Sequence, residues 1–342
     1  MGVVTIIGAG MMGSAMAYPA RANGHEVRLV GTPLDEAIIA EASRTNVHKT
    51  LKRRLPEGIR FFQIARVDEA IHGADVIIGG VSSFGVDWFK DEMLPRIPRE
   101  IPLLSITKGM INTAEGDLVP FPVIYEQSLG GQGLSICAVG GPCTSYELAD
   151  GDPTEICFCG RDMATLRKLR AMLETDFYHI SISTDVMGVE CAVALKNAYA
   201  LGVTLAVGLS EKKDGHMHYN SQAALFGQSI REMRQILNLY DGKDDALYLG
   251  AGDLYVTVFG GRTRLIGSLL GKGLKIDEAM ASLEGITLES VVIAKRTAEA
   301  LRALTEKRVA AQADFPLLMH IDALLKGQET VNIPWRAFAK EL

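Results

Sequence analysis

A glycine-rich run near the N-terminus constrains this chain more than any other feature. An apolar stretch, VVTIIG (3–8), predicts a buried strand, and the run GAGMMG places Gly8, Gly10 and Gly13 at its end. The first glycine permits a tight turn, the second lets a ligand approach the backbone, and the third lets the next helix pack against the strand. Between a strand and a helix, such a run is typical of folds that bind dinucleotide phosphates.

Short β-branched runs alternate with helical stretches through the first half of the chain. A helical run over 11–24 contains Pro19, which removes a helical hydrogen bond, so we expect a kink or a shortened first turn. Alternating strands and helices give a mostly parallel sheet with helices on both faces. The predicted strands span residues 3–8, 25–31, 61–66, 74–81, 102–110, 134–142, 154–160 and 177–184.

The pattern changes after residue 184. The segment 188–209 is one long apolar run of helical length, and 220–240 and 288–307 are amphipathic at helical spacing. Strand patterns are not evident there. We therefore predict an α/β fold class, with a Rossmann-like, doubly wound sheet domain over 1–184 followed by an all-helical C-terminal domain over 185–342.

Composition and charge narrow the function classes. The 342 residues are 48% hydrophobic and 22% charged with a net charge of −6, which indicates a globular protein without a basic face for nucleic acid. The irregular spacing of the five cysteines predicts reduced thiols. His216 and His218 lack a third ligand, so we predict no metal site. The N-terminus is typical of neither a signal peptide nor a membrane span, which predicts a cytoplasmic protein with no membrane partner.

The end of the second predicted strand bears on the choice of dinucleotide. NAD-specific folds of this type place a carboxylate there to bind the ribose hydroxyls. Here Thr32 follows the strand, and we expect Asp35 to lie on the next helix. Lys52, Arg53 and Arg54 could reach a 2′-phosphate. The cofactor is therefore NAD or NADP, with a slight preference for NADP accepted alongside NAD.

Two lysines are candidates for acid–base work. Reduction of a ketone leaves charge on oxygen, which needs a proton donor and a polarising cation. Lys108 follows a strand at the edge where open α/β sheets bind ligands. Lys196 lies in the long apolar helix beside Asn197, where partial burial favours the neutral amine. The alternative for both is an ordinary surface position, with Lys196 snorkelling to solvent.

A third polar element lies in the glycine-rich stretch 250–273. Asp253 follows a glycine-rich turn and begins a helix or an extended segment, where it could orient Lys196 or accept a substrate hydroxyl. Arg262 and Arg264 lie in a second glycine-rich loop, where guanidinium groups suit a phosphate or a carboxylate. Solvated loop arginines are the alternative, more so for Arg264.

Together these stretches resemble the NAD(P)-dependent glycerol-3-phosphate dehydrogenase family. The resemblance spans nearly the whole chain in the right order, and it implies catalysis in a cleft between a Rossmann-like and a helical domain. The matching stretches are GAGMMGSAMA (8–17), ITKGM (106–110), GGPC (140–143), GVECAVALKNAYAL (188–201), the N-x-x-A-A-L pattern at 220–225, and GAGDLYVT with GGRTR (250–264).

The resemblance also assigns roles. Lys196 maps to the proton donor or acceptor, Lys108 to the lysine that assists at the carbonyl, and Arg262 to the arginine that holds the substrate phosphate. We expect both ammonium groups to converge beside the nicotinamide ring. The predicted catalytic residues are Lys196, Lys108 and Asp253. The predicted cofactor-binding residues are Gly8, Gly10, Met11, Met12, Gly13, Thr32, Arg54, Lys108 and Arg262. The predicted substrate-binding residues are Lys108, Asn197, Asp253, Thr257, Arg262 and Thr263.

The chain departs from the family pattern where substrate should bind. Thr263 follows Arg262 where the family usually has asparagine, and VSSFGVDWF (81–89) replaces a proline-containing loop. The turn after GGP, at 143–152, does not keep the expected small-residue pattern. The chemistry is therefore better specified than the substrate.

The leading hypothesis is hydride transfer between NAD(P)H and a small anionic ketone. Dihydroxyacetone phosphate and its alcohol sn-glycerol 3-phosphate are the expected pair, with another polyol phosphate as a variant. The alternatives are a 3-hydroxyacid dehydrogenase of the 3-hydroxyisobutyrate type and a non-catalytic dinucleotide-sensing protein. The apolar helices of the second domain favour a homodimer.

Overall fold

The computed structural model describes residues 1–130 and 133–339, which form two compact units. The first unit contains residues 1–108 and 121–186, and the second contains 109–120 and the chain from 187 onward. This division places residues 109–120, which the prediction assigns to the first domain, in the second unit.

An eight-stranded sheet forms the centre of the first unit. The strands of the described chain are β1 (Val3–Ile7), β2 (Glu26–Val30), β3 (Val47–His48), β4 (Arg53–Arg54), β5 (Ile59–Phe62), β6 (Val76–Gly79), β7 (Leu103–Ser105), β8 (Met110–Asn112), β9 (Leu118–Pro120), β10 (Ile136–Gly140), β11 (Thr154–Gly160) and β12 (Tyr178–Ser183). The sheet order is β12-β11-β10-β7-β6-β1-β2-β5, while β3–β4 and β8–β9 are separate two-stranded ribbons.

The strand order reverses direction beside β1. The strands from β5 to β10 pair in parallel, β11 pairs antiparallel with β10, and β12 is parallel to β11. The chain builds the sheet from β1 through β2 to β5, and then returns to β6 on the other side of β1. Ligands of open α/β sheets bind at such a reversal. The predicted Rossmann-like fold class is confirmed.

The predicted bounds of two strands are wrong. The predicted strand 61–66 begins earlier, as β5, and ends at Phe62, because a 3₁₀ turn over Ile64–Arg66 leads into the following helix. The predicted strand 102–110 ends at Ser105 as β7. Gly109 then turns the chain with a φ of 148°, and Met110 begins β8 in the second unit.

The first predicted helix is divided, as Pro19 suggested. It forms α1 (Met11–Ala15) and α2 (Ala17–Ala22), so Pro19 lies in the first turn of α2, where its missing N–H needs no partner. The remaining helices of this unit are α3 (Glu36–Thr45), α4 (Val67–Ile71), α5 (Val86–Trp88) followed by a π-helix (Phe89–Met93), α6 (Phe121–Ser128), α7 (Ser145–Asp150) and α8 (Met163–Leu173).

The second unit is helical apart from the β8–β9 hairpin. Its helices are α9 (Val186–Lys213), α10 (Tyr219–Leu239), α11 (Leu247–Phe259), α12 (Gly261–Gly271), α13 (Ile276–Ala281), α14 (Glu289–Glu306), α15 (Pro316–Leu325) and α16 (Trp335–Phe338). The long helices α9, α10 and α14 coincide with the three predicted from the sequence. The hairpin was missed because its two strands have only three residues each.

Helix α9 is the core helix of the second unit. By length and composition it could cross a membrane, with a mean hydropathy of 1.5 in its most apolar window, but 89% of that window is buried inside the protein. Glycines let neighbouring helices approach it. An added Cβ at Gly267 on α12 would lie 3.0 Å from the Leu201 carbonyl oxygen, and one at Gly202 would lie 2.9 Å from Ile321 on α15.

A buried carboxylate joins three helices of this unit. Glu232 on α10 is fully buried, and its oxygens accept hydrogen bonds from Tyr199 on α9 and from Gln228. The same carboxylate accepts the backbone N–H groups of Leu317 and Leu318, which open α15 and have no partner within their own helix. Burial raises the pKa of Glu232, whereas these four donors stabilise its charged form.

Replacing Glu232 should therefore destabilise the second unit. Glu232→Ala leaves four buried donors without an acceptor, and we expect the free energy of unfolding to fall by about 3 kcal/mol or more. Urea denaturation followed by circular dichroism measures the change. Glu284→Ala, at an exposed position, is the control and should leave stability unchanged. Equal stability of both variants would contradict this account of the α15 N-terminus.

The glycine turn gives a second stability prediction. A Cβ at Gly13 would lie 2.1 Å from the Gly8 carbonyl oxygen, whereas a Cβ at Gly10 meets no atom within 4 Å. We expect Gly13→Ala to lower the free energy of unfolding by about 1–3 kcal/mol through overpacking, and Gly10→Ala to leave it nearly unchanged. Thermal melts of the two variants test this, and equal melting temperatures would contradict it.

Candidate active site

Two of the three glycines in the turn of the first unit allow close backbone packing, and the third leaves the backbone accessible to a ligand. Gly8 has a φ of 118°, and an added Cβ there would lie 2.4 Å from the Gly80 carbonyl oxygen beyond β6. Gly13 has equally little room against Gly8. Gly10 faces open space, so a ligand can reach its backbone. The turn thus lies at the strand-order reversal and fits the pyrophosphate of a dinucleotide.

Met11 and Met12 begin the helix that follows this turn. Met11 is exposed, and the Tyr146 hydroxyl lies 3.4 Å from its sulfur, while Met12 is half-buried. Their backbone N–H groups belong to the first turn of α1, where a helix leaves donors unsatisfied. Both residues therefore lie beside Gly10 at the start of α1, and their contact with the cofactor stays a prediction.

Thr32 lies two residues beyond β2, which ends at Val30. Asp35 does not lie on the next helix as predicted, because α3 begins at Glu36, and it has a role that its position in the sequence did not reveal. One oxygen of Asp35, Oδ2, accepts the Thr32 N–H at 2.9 Å, the Thr32 hydroxyl at 2.8 Å and the Ala9 N–H at 3.1 Å. The carboxylate is therefore turned into the protein. Its Oδ2 supports the glycine turn and is occupied by these three donors. The spacing Thr-x-x-Asp before a helix was the available signal, because aspartate at such a position binds nearby backbone N–H groups.

The three cations proposed for a 2′-phosphate do not act as one group. Arg53 on β4 makes two hydrogen bonds to Asp150, at 2.5 and 2.7 Å. The Arg54 side chain is 70% exposed and lies 3.9 Å from Glu57. Lys52 is exposed at the turn of the β3–β4 ribbon. Arg54 and Lys52 are thus exposed, while Arg53 is bonded to Asp150, and a contact of any of them with a 2′-phosphate stays a prediction.

Lys108 lies at the carboxyl edge of the sheet. It follows β7, and its Nζ donates to the Gly141 carbonyl oxygen at 2.6 Å, just beyond the neighbouring strand β10. Thr107 supports this segment from the other side by donating to the Val81 carbonyl oxygen at 2.7 Å. The half-buried ammonium group is therefore fixed where ligands of such sheets bind.

The second unit contains a compact polar cluster around Lys196. Lys196 Nζ on α9 lies 2.9 Å from Asp253 Oδ1 and 2.8 Å from the Thr257 hydroxyl, both on α11. The Thr257 hydroxyl in turn donates to the Asp253 carbonyl oxygen at 2.7 Å. The side chains of Lys196 and Asp253 are 13% and 4% exposed. The carboxylate stabilises the ammonium form of the lysine, whereas burial disfavours it.

The cluster depends on the close approach of α9 and α11. Gly250 makes that approach possible, because a Cβ there would lie 2.8 Å from the Ala192 carbonyl oxygen and 2.7 Å from the end of Met233. Lys196 is one turn beyond Ala192, and Asp253 is three residues beyond Gly250. Lys196 can thus pair with Asp253 from another helix because residue 250 is glycine.

The structure corrects the surroundings of two predicted residues. Asp253 does not follow a glycine turn, because GAG (250–252) is helical and Asp253 lies inside α11. Arg262 and Arg264 do not lie in a loop, because α12 begins at Gly261. Glycine has a low helix propensity, but at Gly250 the packing against Ala192 and Met233 outweighs it.

The remaining predicted residues lie near the start of α12 or on α9. Arg262 is exposed and Thr263 is buried in the first turn of α12, and Arg264 donates to the Val258 carbonyl oxygen at 3.0 Å. Asn197 follows Lys196 and is buried. Lys196, Asp253 and Thr257 are thus brought together, while the substrate roles of Asn197, Arg262 and Thr263 stay predictions.

The Lys196 cluster has the chemistry of an acid–base centre. An ammonium group held by a carboxylate and a hydroxyl can donate a proton at a fixed point and recover it afterwards. The phosphate-binding role of the glycine turn and the carbonyl role of Lys108 stay predictions. Lys108 belongs to the first unit and Lys196 to the second. Their convergence on one substrate stays a prediction.

Comparison with known proteins identifies the family. Residues 3–166 match the family model for the NAD-dependent glycerol-3-phosphate dehydrogenase N-terminus, and residues 185–335 match the model for its C-terminus. The NADP(+)-dependent glycerol-3-phosphate dehydrogenase of Archaeoglobus fulgidus is 32% identical over 94% of this chain and 95% of its own length. A glycerol-3-phosphate dehydrogenase [NAD(P)+] of Koribacter versatilis is 29% identical over 85% of both chains.

Solved structures show the same fold. Glycerol-3-phosphate dehydrogenase from Coxiella burnetii superposes with a TM-score of 0.79 at 23% identity, over 98% of this chain and 97% of its own. The Plasmodium falciparum glycerol-3-phosphate dehydrogenase gives a TM-score of 0.84 at 20% identity, over 99% and 95% of the two chains. With both family models matched in order, this chain belongs to the NAD-dependent glycerol-3-phosphate dehydrogenase family and is an NAD(P)-dependent oxidoreductase that acts on a CH–OH group.

Proposed function

We propose that this protein interconverts dihydroxyacetone phosphate and sn-glycerol 3-phosphate, with NADP(H) as its better cofactor and NAD(H) accepted. The observation that carries the reaction is the Lys196 ammonium group, bonded to both Asp253 and Thr257. The substrate pair follows from the family and from the name of the Archaeoglobus fulgidus relative. Thr32 stands where NAD-specific folds have a carboxylate, and Asp35 Oδ2 is occupied by N–H groups of the protein, which supports NADP.

Lys196 is the proposed proton donor and acceptor at the substrate oxygen. The bound dinucleotide supplies the hydride in the reduction and accepts it in the oxidation. As charge develops on the carbonyl oxygen, Lys196 Nζ donates a proton to it. Asp253 and Thr257 hold that nitrogen in place through all steps and stabilise its charged form. In the oxidation the same nitrogen accepts the hydroxyl proton.

The other predicted residues complete the proposed site. Lys108 polarises the carbonyl, because a fixed cation stabilises the developing oxyanion. Arg262 binds the substrate phosphate and contacts the cofactor, since an exposed guanidinium group can form a bidentate pair with phosphate oxygens. Asn197 and Thr263 contribute further polar contacts to the small anionic substrate.

A 3-hydroxyacid dehydrogenase remains the second candidate function. The 3-hydroxyisobutyrate dehydrogenase of Mycobacterium tuberculosis superposes with a TM-score of 0.50 at 17% identity, which is a likeness of fold alone. A hydroxyacid enzyme would not need the 250–264 segment with Asp253, Thr257 and Arg262. Family membership argues against the third alternative, a protein that senses dinucleotides without turnover.

Assembly and location are further parts of the proposal. We propose a homodimer in the cytoplasm. The dimer is supported by exposed aromatic side chains at Tyr248, Tyr255 and Phe259 along α11, since exposed apolar patches commonly mark interfaces. The cytoplasmic location is supported by the five cysteines, which form no disulfide in the described chain. Light scattering during size-exclusion chromatography measures the oligomeric state, and a monomer would contradict the dimer.

A substrate panel tests the reaction. We expect the purified protein to oxidise NADPH, and NADH more weakly, in the presence of dihydroxyacetone phosphate. Other triose and tetrose phosphates, 2-keto acids and the semialdehyde of 3-hydroxyisobutyrate are the comparison compounds. A higher kcat/KM with the semialdehyde than with any phosphorylated ketone would overturn the proposed substrate and support the second candidate.

Lys196→Ala tests the acid–base role. We expect kcat to fall by about 10²–10⁴-fold, the range for loss of a general acid, while the dissociation constant of NADPH stays unchanged. Absorbance at the nicotinamide band gives the rate, and fluorescence titration gives the binding. The control is Lys213→Ala at the exposed end of the same helix, which should leave kcat unchanged. Substantial turnover in the Lys196 variant would contradict the role.

Arg54→Ala tests the proposed preference for NADP. We expect the KM for NADPH to rise about fivefold, equivalent to about 1 kcal/mol for an exposed ion pair. The KM for NADH should not change, because NADH lacks the 2′-phosphate. Arg44→Ala, at an exposed position on α3, is the control. An equal effect on both cofactors would contradict a contact with that phosphate.

A further inference from the structure

The middle residue of the glycine turn is held from behind by three side chains. Ala9 is fully buried, and its N–H donates to Asp35 Oδ2 at 3.1 Å. Its carbonyl oxygen lies 2.8 Å from His48 Nε2 and accepts the Ser14 hydroxyl at 3.3 Å. Ala9 itself has no side chain that could reach a ligand. At Ala9 these contacts therefore fix the path of the backbone.

The bonding of His48 defines its tautomer. His48 is fully buried on β3, and the Leu51 N–H points at its Nδ1 at 2.9 Å. Nδ1 must accept that hydrogen bond, so the ring is neutral and its proton is on Nε2. Nε2 then donates to the Ala9 carbonyl oxygen. Both ring nitrogens are thus used, one to close the β3–β4 turn and one to hold the glycine turn.

The grip on the Ala9 carbonyl fixes the neighbouring N–H as well. The peptide bond between Ala9 and Gly10 is planar and trans, so its C=O and N–H point in opposite directions. With the oxygen drawn toward His48 and Ser14 inside the protein, the Gly10 N–H is directed the other way. Gly10 is the glycine of the turn whose Cβ position meets open space.

Asp35 fixes the other flank of Ala9. Its Oδ2 holds the Ala9 N–H together with the N–H and hydroxyl of Thr32. One carboxylate oxygen therefore ties the glycine turn after β1 to the end of β2. Those two places are where a dinucleotide of this fold binds through its pyrophosphate and its adenosine ribose.

We propose that His48 and Asp35 are positioning residues for the dinucleotide. They hold Ala9 on both sides and so direct the Gly10 N–H toward the pyrophosphate. Neither side chain contacts the cofactor or the reacting atoms in this assignment, so their effect is on cofactor affinity. The inference rests on the proposed use of NADP(H), and it adds two residues that the glycine motif does not contain.

His48→Leu removes both ring nitrogens at similar volume. We expect the dissociation constant of NADPH, measured by fluorescence titration without substrate, to rise about tenfold. At saturating NADPH, kcat and the KM for dihydroxyacetone phosphate should stay unchanged. His48→Gln keeps a donor close to the position of Nε2 and should restore most of the affinity. Asp35→Ala should weaken NADPH binding at least as much as His48→Leu.

His25 and Asp75 are matched controls, because they directly precede β2 and β6 and so lie at the amino ends of the strands, opposite the glycine turn. His25 makes the same pair of bonds as His48, because its Nδ1 accepts the Gly2 N–H at 3.0 Å and its Nε2 lies 2.9 Å from the Met172 carbonyl oxygen. Asp75 accepts the Val3 N–H at 2.8 Å. His25→Leu and Asp75→Ala should therefore lower stability without changing the dissociation constant of NADPH.

The outcomes separate this inference from the proposed function. Failure of the wild-type protein to bind NADPH or NADH would overturn the proposed function. If the wild type binds, an unchanged dissociation constant in folded His48→Leu and Asp35→Ala overturns the inference. An equal loss of affinity in His25→Leu overturns it too, because the effect would then be general destabilisation. If His48→Leu does not fold, Asp35→Ala carries the test, and an unchanged dissociation constant of NADPH in folded Asp35→Ala then overturns the inference.

Discussion

The close approach of backbone to backbone around the turn after β1 is the constraint on which the first unit depends. The carbonyl oxygen of Gly80 and the carbonyl oxygen of Gly8 occupy the space where side chains of Gly8 and Gly13 would lie. This contact brings the end of β6 and the start of α1 against the end of β1, at the reversal of strand order. The access left at Gly10 is a consequence of that packing.

The constraint in the second unit is different, because the Lys196 ammonium group lies within the apolar helix α9. An unpaired ammonium group in such a place carries a large desolvation penalty, and a paired one needs its partner at hydrogen-bond distance. Asp253 provides that partner only because Gly250 lets α11 lie against the backbone of α9. Asp253, which pairs with the reactive lysine, and Gly250, which permits the helix packing, are thus within one turn of each other on α11.

Periodicity and motif spacing predicted the elements that are long or have a fixed pattern. Local sequence predicted the N-terminal strand, glycine turn and helix, and it predicted the long helices α9, α10 and α14. It also singled out Lys196 and Asp253 as candidate site residues. Two kinds of feature did not follow. The β8–β9 hairpin is too short for a period, and the helical state of GAG (250–252) depends on a neighbouring helix that the local sequence does not show. The inward turn of Asp35 and the contact of His48 with Ala9 required knowledge of which loops meet.

The placement of residues 109–120 has a consequence for how this protein is made. That hairpin belongs to the second unit through contacts with much later residues: Arg296 donates to the Met110 carbonyl oxygen, and the Tyr240 hydroxyl donates to that of Gly116. On the ribosome, at about 5–20 residues per second, the hairpin emerges on the order of ten seconds before Arg296 is synthesised. The first unit is thus interrupted by a segment whose partners do not yet exist. No single cut of the chain yields two intact units, so folding of the second unit is completed only when nearly the whole polypeptide is present.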